Sequence, residues 1–216
     1  MIAEVLTLTT GPFRQNGYIV LDDAGGAVAI DPGGESDRFL TALQSSGATL
    51  NGIVNTHGHF DHVGAVQDLI DATGAPFILH AGDHALLRRA NLYKALFQSR
   101  EAIRVPAVVS DLKEGPNPVE LGRLSVRWIE TPGHTDGSVC LSIGNCVFTG
   151  DTLLAKGPGR TDLPGGDPVK LELSLEILRS LPPTLQAYPG HGRSMVLSEL
   201  LESGLASRES RHVPGH

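Results

Sequence analysis

The stretch Ile53 to Val66, IVNTHGHFDHVGAV, constrains this chain more than any other. A short apolar run ends in three histidines and an aspartate spaced T-H-x-H-x-D-H, after which apolar residues recur at helical spacing at Val63, Val66, Leu69 and Ile70. The pattern reads as strand, loop, helix. In such a turn His57 and His59, two residues apart, present their rings on one side, while Asp61 and His62 at the helix start aim at a neighbouring spot. One segment can thus serve two adjacent metal ions. Neutral imidazole and carboxylate are the usual protein ligands of catalytic zinc, and such sets also take iron or manganese.

Further candidates stand at comparable places. Strand-like runs cover Ile2 to Leu8, Gly17 to Leu21, Ala27 to Ile30, Gly52 to Val54 and Phe77 to Leu79 in the first half. The second half has Val119 to Leu121, Leu124 to Ile129, Ser138 to Ile143, Cys146 to Phe148 and, as its last strand, Leu185 to Tyr188. Helices are expected from a Ser36 N-cap to Ser46, from the histidine cluster to Thr73, over Asp83 to Leu92 and over Val169 to Leu181. On this map His134, Asp151 and His191 each follow a strand end, as the first cluster does. Groups at strand ends of a rigid sheet converge on one cleft although far apart in sequence. Strands run into helices once in each half, which points to a pseudo-duplicated αββα sandwich. The segment Arg100 to Pro118 is too irregular to assign and is a candidate covering loop. Asp151 to Asp167, rich in Gly and Pro, reads as a long loop.

Composition sets bounds on function. A length of 216 residues fits one domain, and a formal charge of −7 argues against a nucleic-acid backbone as partner. The N-terminus lacks the basic and apolar regions of a signal peptide, and no apolar run is long enough to span a bilayer. The chain is therefore expected to be cytoplasmic and to act on a small molecule rather than a membrane. Cys140 and Cys146 make no disulfide framework and are read as reduced and buried. His80 and His84 have helical ligand spacing, but His80 closes a strand. His212 and His216 lie in a polar tail. These four are read as structural or surface residues.

The segments IDPGG (30–34), NTHGHFDH, TPGHTDGSVCL, FTGDTLL and YPGHG together resemble the metallo-β-lactamase superfamily across almost the whole chain. That resemblance implies one α/β domain over residues 1–216, a four-layer αββα sandwich of two mixed sheets flanked by helices. It also implies a site for two divalent metal ions, zinc foremost. His57, His59 and His134 would hold the first, Asp61, His62 and His191 the second, and Asp151 would bridge them. Asp31 is expected beneath the loop, with Thr56 beside it, as outer partners of the ligands.

GRTDLPGGD (159–167) resembles the segment after the bridging aspartate in small hydroxyacylglutathione hydrolases of the glyoxalase II type and, less closely, in persulfide dioxygenases. The resemblance therefore implies thioester hydrolysis by metal-activated water, with Asp61 both ligand and catalytic residue. The commonest β-lactamases of the superfamily have a cysteine ligand and lack the aspartate of this motif, so Asp61 turns the expectation away from β-lactams. The alternatives are an Fe(II)-dependent persulfide dioxygenase using His57, His134 and Asp151, a lactonase, and a non-catalytic metal-binding module. About two dozen residues follow His191, too few for the helical C-terminal domain that grips glutathione in larger glyoxalase II enzymes. Arg160 is then the nearest candidate for a substrate carboxylate, its other role being an ion pair with Asp162. No feature assigns an oligomeric state.

Overall fold

A computed structural model describes residues 1–97, 101–106, 110–112 and 117–209. Its first sheet contains β1 (Ile2–Thr10), β2 (Gln15–Asp22), β3 (Gly26–Ile30), β4 (Thr49–Val54), β5 (Phe77–Leu79) and β6 (Ser110–Asp111), adjacent in that order. The first three are antiparallel neighbours and β3 to β6 run parallel. The second half supplies β7 (Val119–Leu121), β8 (Leu124–Glu130), β9 (Val139–Ile143), β10 (Cys146–Gly150), the ribbon β11 (Leu153–Leu154) and β12 (Gly157–Pro158), then β13 (Gln186–Pro189) and β14 (Met195–Val196). Apart from the ribbon, these form a sheet in the order β14-β13-β10-β9-β8-β7, in which only β10 and β13 are parallel.

Strand alternation builds the layers. In β2 and β3, Tyr18, Val20, Val28 and Ile30 face the second sheet, meeting Leu141, Ile143 and Phe148 in a core between the sheets. Their neighbours Ile19, Leu21, Ala27 and Ala29 face the other way, against Phe39 and Leu43 of α1 (Ser36–Ser46) and against Val63, Val66 and Leu69. On the far side, Cys140 and Val147 pack with Leu175 and Leu178 of α6 (Pro168–Arg179) and Leu197 and Leu200 of α7 (Leu197–Glu209). The result is the four-layer αββα sandwich of two mixed sheets.

Several helices differ from the expected ones. Glu35, in a left-handed conformation with φ 53°, precedes α1, and Ser36 is its first residue, with its hydroxyl on Asp68. The helix after the histidine cluster is two, α2 (Phe60–Val63) and α3 (Val66–Thr73), because the Ala65 amide between them donates to Pro32 O at 2.9 Å. The Asp83 to Leu92 helix is also divided: a 3-10 turn (Ala81–Asp83), α4 (His84–Arg88) and α5 (Ala90–Leu96), broken where Arg89 leaves helical geometry at φ −101°, ψ 9°. Helix α6 (Pro168–Arg179) is capped by the Asp167 carboxylate, which accepts from the Val169 and Lys170 amides. Strand β14 and helix α7 (Leu197–Glu209) were not expected; their anchors Met195, Leu197 and Leu200 are too few to mark a periodic pattern.

Of the Arg100 to Pro118 segment, Arg100 itself and residues 107–109 and 113–116 lie outside the described residues, as do His212 and His216. The described part is tied down. Asn91 exchanges two hydrogen bonds with the Ile103 backbone, and Arg104 pairs with Asp68 and Asp71. Cys140 and Cys146 are free, buried thiols, the former pushed up to about 11 by burial. No helix among the described residues is long and apolar enough to cross a membrane.

Candidate metal centre

Parallel pairing places the site. Strands β3 and β4 end together at Ile30 and Val54, and β10 and β13 end together at Gly150 and Pro189. The segments leaving these ends are stitched across the sandwich. Val139 N donates to Thr56 O at 2.9 Å, Asn16 N to Gly190 O at 2.8 Å, and Tyr18 Oη to Pro189 O at 2.6 Å. Four loops far apart in sequence are thereby held at one edge.

Among the described residues three groups of possible metal ligands meet there, the ligand atoms of each lying within 4.8 Å of one another: the triads His57, His59 and His134, and Asp61, His62 and His191, with Asp31, His57 and His62 linking the two from beneath. Asp151 stands between them, 3.5 Å from His62 Nε2, 3.7 Å from His134 Nε2 and 3.5 Å from His191 Nε2. All four imidazoles of the T-H-x-H-x-D-H stretch and of His134 are buried, and His191 is partly so. No wall of the site could tolerate a bulkier neighbour at Gly190, where a Cβ would run into the Asp151 carboxylate and the His62 ring.

Outer partners fix which nitrogen each ring presents. The His62 Nδ1 faces Asp31 Oδ2 at 3.0 Å, His134 Nδ1 faces Arg160 O at 2.8 Å and His191 Nδ1 faces Phe13 O at 3.0 Å. Thr56 Oγ1 donates to Asp31 Oδ2 at 2.6 Å and so accepts from His57 Nδ1 at 3.0 Å. Each of these four rings therefore protonates Nδ1 and offers the Nε2 lone pair. His59 differs, with its Nδ1 turned to the site, 2.9 Å from His134 Nε2. Asp31 also accepts from the Thr56 amide at 2.7 Å and holds a left-handed backbone, φ 48°, where strain is stored at the base of the loop.

The donor set fits metal ions. His57 Nε2, His62 Nε2 and Asp151 Oδ1 are buried without a hydrogen-bond partner, a costly state for polar atoms unless a cation takes their lone pairs. Burial and the surrounding imidazoles hold His57 far below its ordinary value and bring His59 down to about 3, so both are neutral, as ligation requires. At His62 burial opposes protonation, but Asp151, Asp31 and Asp61 outweigh it and push the ring up to about 9. Burial likewise works against an ionised Asp61, yet the His191 hydrogen bond and the nearby imidazoles drive its carboxyl well below the carboxylate range. In the metal-free protein a proton on His62 thus stands in for a cation.

Other residues took part without any signal in the sequence. Asp83, buried in the 3-10 turn, accepts from Gly58 N, Thr135 Oγ1 and Gly137 N, each at 2.7 Å, and so ties the His57 loop to the His134 loop. Its sequence context marks only a helix start. His80 and His84 stay outside every ligand triad among the described residues: His80 Nδ1 accepts from Gly82 N, and its Nε2 lies 3.6 Å from Glu130. Arg160 grips both oxygens of Asp162 at 2.7 and 2.6 Å, so its guanidinium is engaged within its own loop. It nonetheless borders the cleft above the ligands, a space of about 420 Å³ walled by Phe13, Phe60, Leu86, Tyr93, Leu96 and Phe97.

Residues 10–191 match the metallo-beta-lactamase superfamily, and the chain belongs to it. It is 33% identical over 189 residues to the probable metallo-hydrolase YqgX of Bacillus subtilis (strain 168), covering 86% of this chain and 88% of that protein. A hydroxyacylglutathione hydrolase of Rhodospirillum rubrum is 34% identical over 176 residues, which cover 81% of this chain and 60% of that longer enzyme. Among solved structures, TTHA1623 in a di-iron-bound form superposes with a TM-score of 0.82 at 37% identity, covering 92% of this chain and 98% of its own. The BLEG-1 B3 metallo-beta-lactamase superposes with a TM-score of 0.86 at 29% identity, covering 94% and 99%.

Proposed function

We propose that this protein is a dinuclear metal-dependent hydrolase that cleaves thioesters of the hydroxyacylglutathione type. The observation that carries this reading is the convergence of two ligand triads on either side of Asp151. A single-metal enzyme would leave one triad without a purpose. Divalent ions held there, zinc or iron or manganese, supply Lewis acidity and a water acidified to near neutral pH.

The chain's own residues do the rest. Asp31, Thr56 and the carbonyls of Arg160 and Phe13 lock four rings with Nε2 inward, so the ligand nitrogens already face the site, and at His62 a bound cation takes the place of the proton. Asp61 stays ionised 3.5 Å from His191, where its carboxylate orients a water in the cleft. The aromatic wall limits the bulk water that reaches the scissile bond. A thiol leaves readily, so a dedicated strong acid is not required, and the lining offers none.

The similarity to a hydroxyacylglutathione hydrolase supports the substrate class, and the di-iron form of TTHA1623 supports a two-metal centre. The likeness to a B3 enzyme means that Asp61 alone does not separate thioester from β-lactam chemistry, so the test includes both. Protein purified without added metal is assayed for metal content, for hydrolysis of S-lactoylglutathione, a lactone and a β-lactam, and for oxygen uptake with glutathione persulfide. Two metals per chain with thioester cleavage are expected. One iron with oxygen uptake and no hydrolysis overturns the reading in favour of a dioxygenase.

A further inference from the structure

Two spaces of opposite chemistry meet at the ligand cluster, and both touch Phe13 and His191. The first is the apolar cleft. The rings of Phe13, Phe60 and Phe97 meet edge-to-face or tilted with centroids 5.6 to 5.9 Å apart, and Leu96, which also lines the cleft, leaves 71% of its surface to solvent. Apolar surface kept open to water around a concave site marks a place where an apolar group is taken up.

The second is a groove of about 670 Å³ that also reaches His191, bordered by Arg14, Lys156 and Arg193 and by no carboxylate. Arg14 and Arg193 have no ion-pair partner among the described residues. Arg14 also sits in a left-handed conformation, φ 53°, which non-glycine residues adopt in only a few per cent of cases. Its turn is held by Arg14 N donating to Gly11 O at 3.1 Å and by the contact of Phe13 O with His191 Nδ1. A ligand-anchoring histidine and an unpaired cation are thus set by one turn.

We infer that the substrate is a two-armed thioester, with an apolar acyl chain or ring in the Phe13–Phe60–Phe97 cleft and an anionic thiol, bearing a carboxylate or a phosphate, over Arg14 and Arg193. The scissile carbonyl then lies between the arms, beside Asp61 and His191. The inference rests on the hydrolase reading. In the reaction water oxygen bonds to the acyl carbon and the carbon–sulfur bond breaks; one water proton goes to the thiolate and the other to solvent, leaving a carboxylate and a thiol. The apolar arm selects the acyl group by burying methylenes, and the basic arm selects the thiol by charge.

The test uses acetyl and hexanoyl thioesters of 3-mercaptopropionate, 2-mercaptoethyl phosphate and neutral 2-mercaptoethanol, with the stable thioether 3-(hexylthio)propionate as a binding probe. Hexanoyl over acetyl is expected to raise kcat/KM roughly 10-fold to 100-fold for four added methylenes, a gain reduced in Leu96→Ser. Anionic over neutral thiols are expected to gain roughly 10-fold at low salt, fading as salt rises and absent in the Arg14→Gln/Arg193→Gln double variant. The phosphate and carboxylate members show which anion the groove takes. Hydrolysis with no preference for chain length or charge overturns the two-armed site and leaves the hydrolase standing. Absence of hydrolysis with charge- and salt-dependent calorimetric binding of the thioether retains the site and overturns the hydrolase; absence of both overturns the inference.

Discussion

His59 Nδ1 and His134 Nε2 face each other at 2.9 Å inside the protein, two nitrogens that only a shared proton or a shared cation can reconcile. Substituting His59→Ala removes one of the three donors of its triad. It is expected to lower the metal content from two ions per chain to one, whereas Asp61→Ala empties the other triad. Turnover should fall by more than about 100-fold in each, beyond the range set by outer partners alone. Elemental analysis beside kcat checks this; Asp61→Ala with two metals and near-normal turnover would count strongly against a dinuclear mechanism.

Asp83 carries a different prediction because it touches no candidate ligand. Its three hydrogen bonds to Gly58, Thr135 and Gly137 join the loops that bear His57 and His134. In Asp83→Ala the buried Gly58 and Gly137 amides lose their acceptor, at about 1–3 kcal/mol for each unmet group, while Thr135 Oγ1 keeps Ser138 Oγ at 2.7 Å. Denaturant unfolding should show a loss of about 3 kcal/mol or more, with weaker metal binding. Unchanged stability would mean that the loops are held elsewhere.

The metal-free protein should depend on pH in a way set by its histidines. His59 falls from 6.5 to about 3 on folding, chiefly through burial, and His57 is lowered too. Depressed values contribute stability that is present above pH 6.5 and lost as pH falls toward 3. His62, raised from 6.5 to about 9 by its carboxylates against the effect of burial, contributes in the opposite sense: fully below 6.5 and lost as pH rises through 9. With chelator present, Tm should therefore decline on both sides of neutral. A Tm that stays flat from pH 6.5 down to 4 contradicts the buried, neutral state of His57 and His59.

Gly190 tests the tightness of the site without touching a donor. A methyl there meets Asp151 Oδ1 and His62 Cε1, so Gly190→Ala must displace the carboxylate that both triads share. Metal affinity is expected to fall by roughly 10-fold to 100-fold, as when a ligand's support is lost. Metal titration by calorimetry reads it, and wild-type affinity would show that Asp151 has room to move.

The sequence by itself determined the strand periodicity, the sandwich and the places where ligand-type residues end strands. These are local properties, since alternation along β2, β3, β9 and β10 and the spacing T-H-x-H-x-D-H are written within a few residues. The tertiary structure alone decided which nitrogen each imidazole presents, because Arg160 O and Phe13 O come from segments 26 and 178 residues away from the rings they orient. It also decided the break between α4 and α5 that turns Tyr93 and Phe97 into a cleft wall, and the burial of Asp83 between two loops. The C-terminal helix α7 was likewise invisible in the sequence, since only a few of its apolar side chains reach the core. Contacts of that range depend on how the two sheets close on each other, and hydrophobic periodicity carries no record of which loop end meets which.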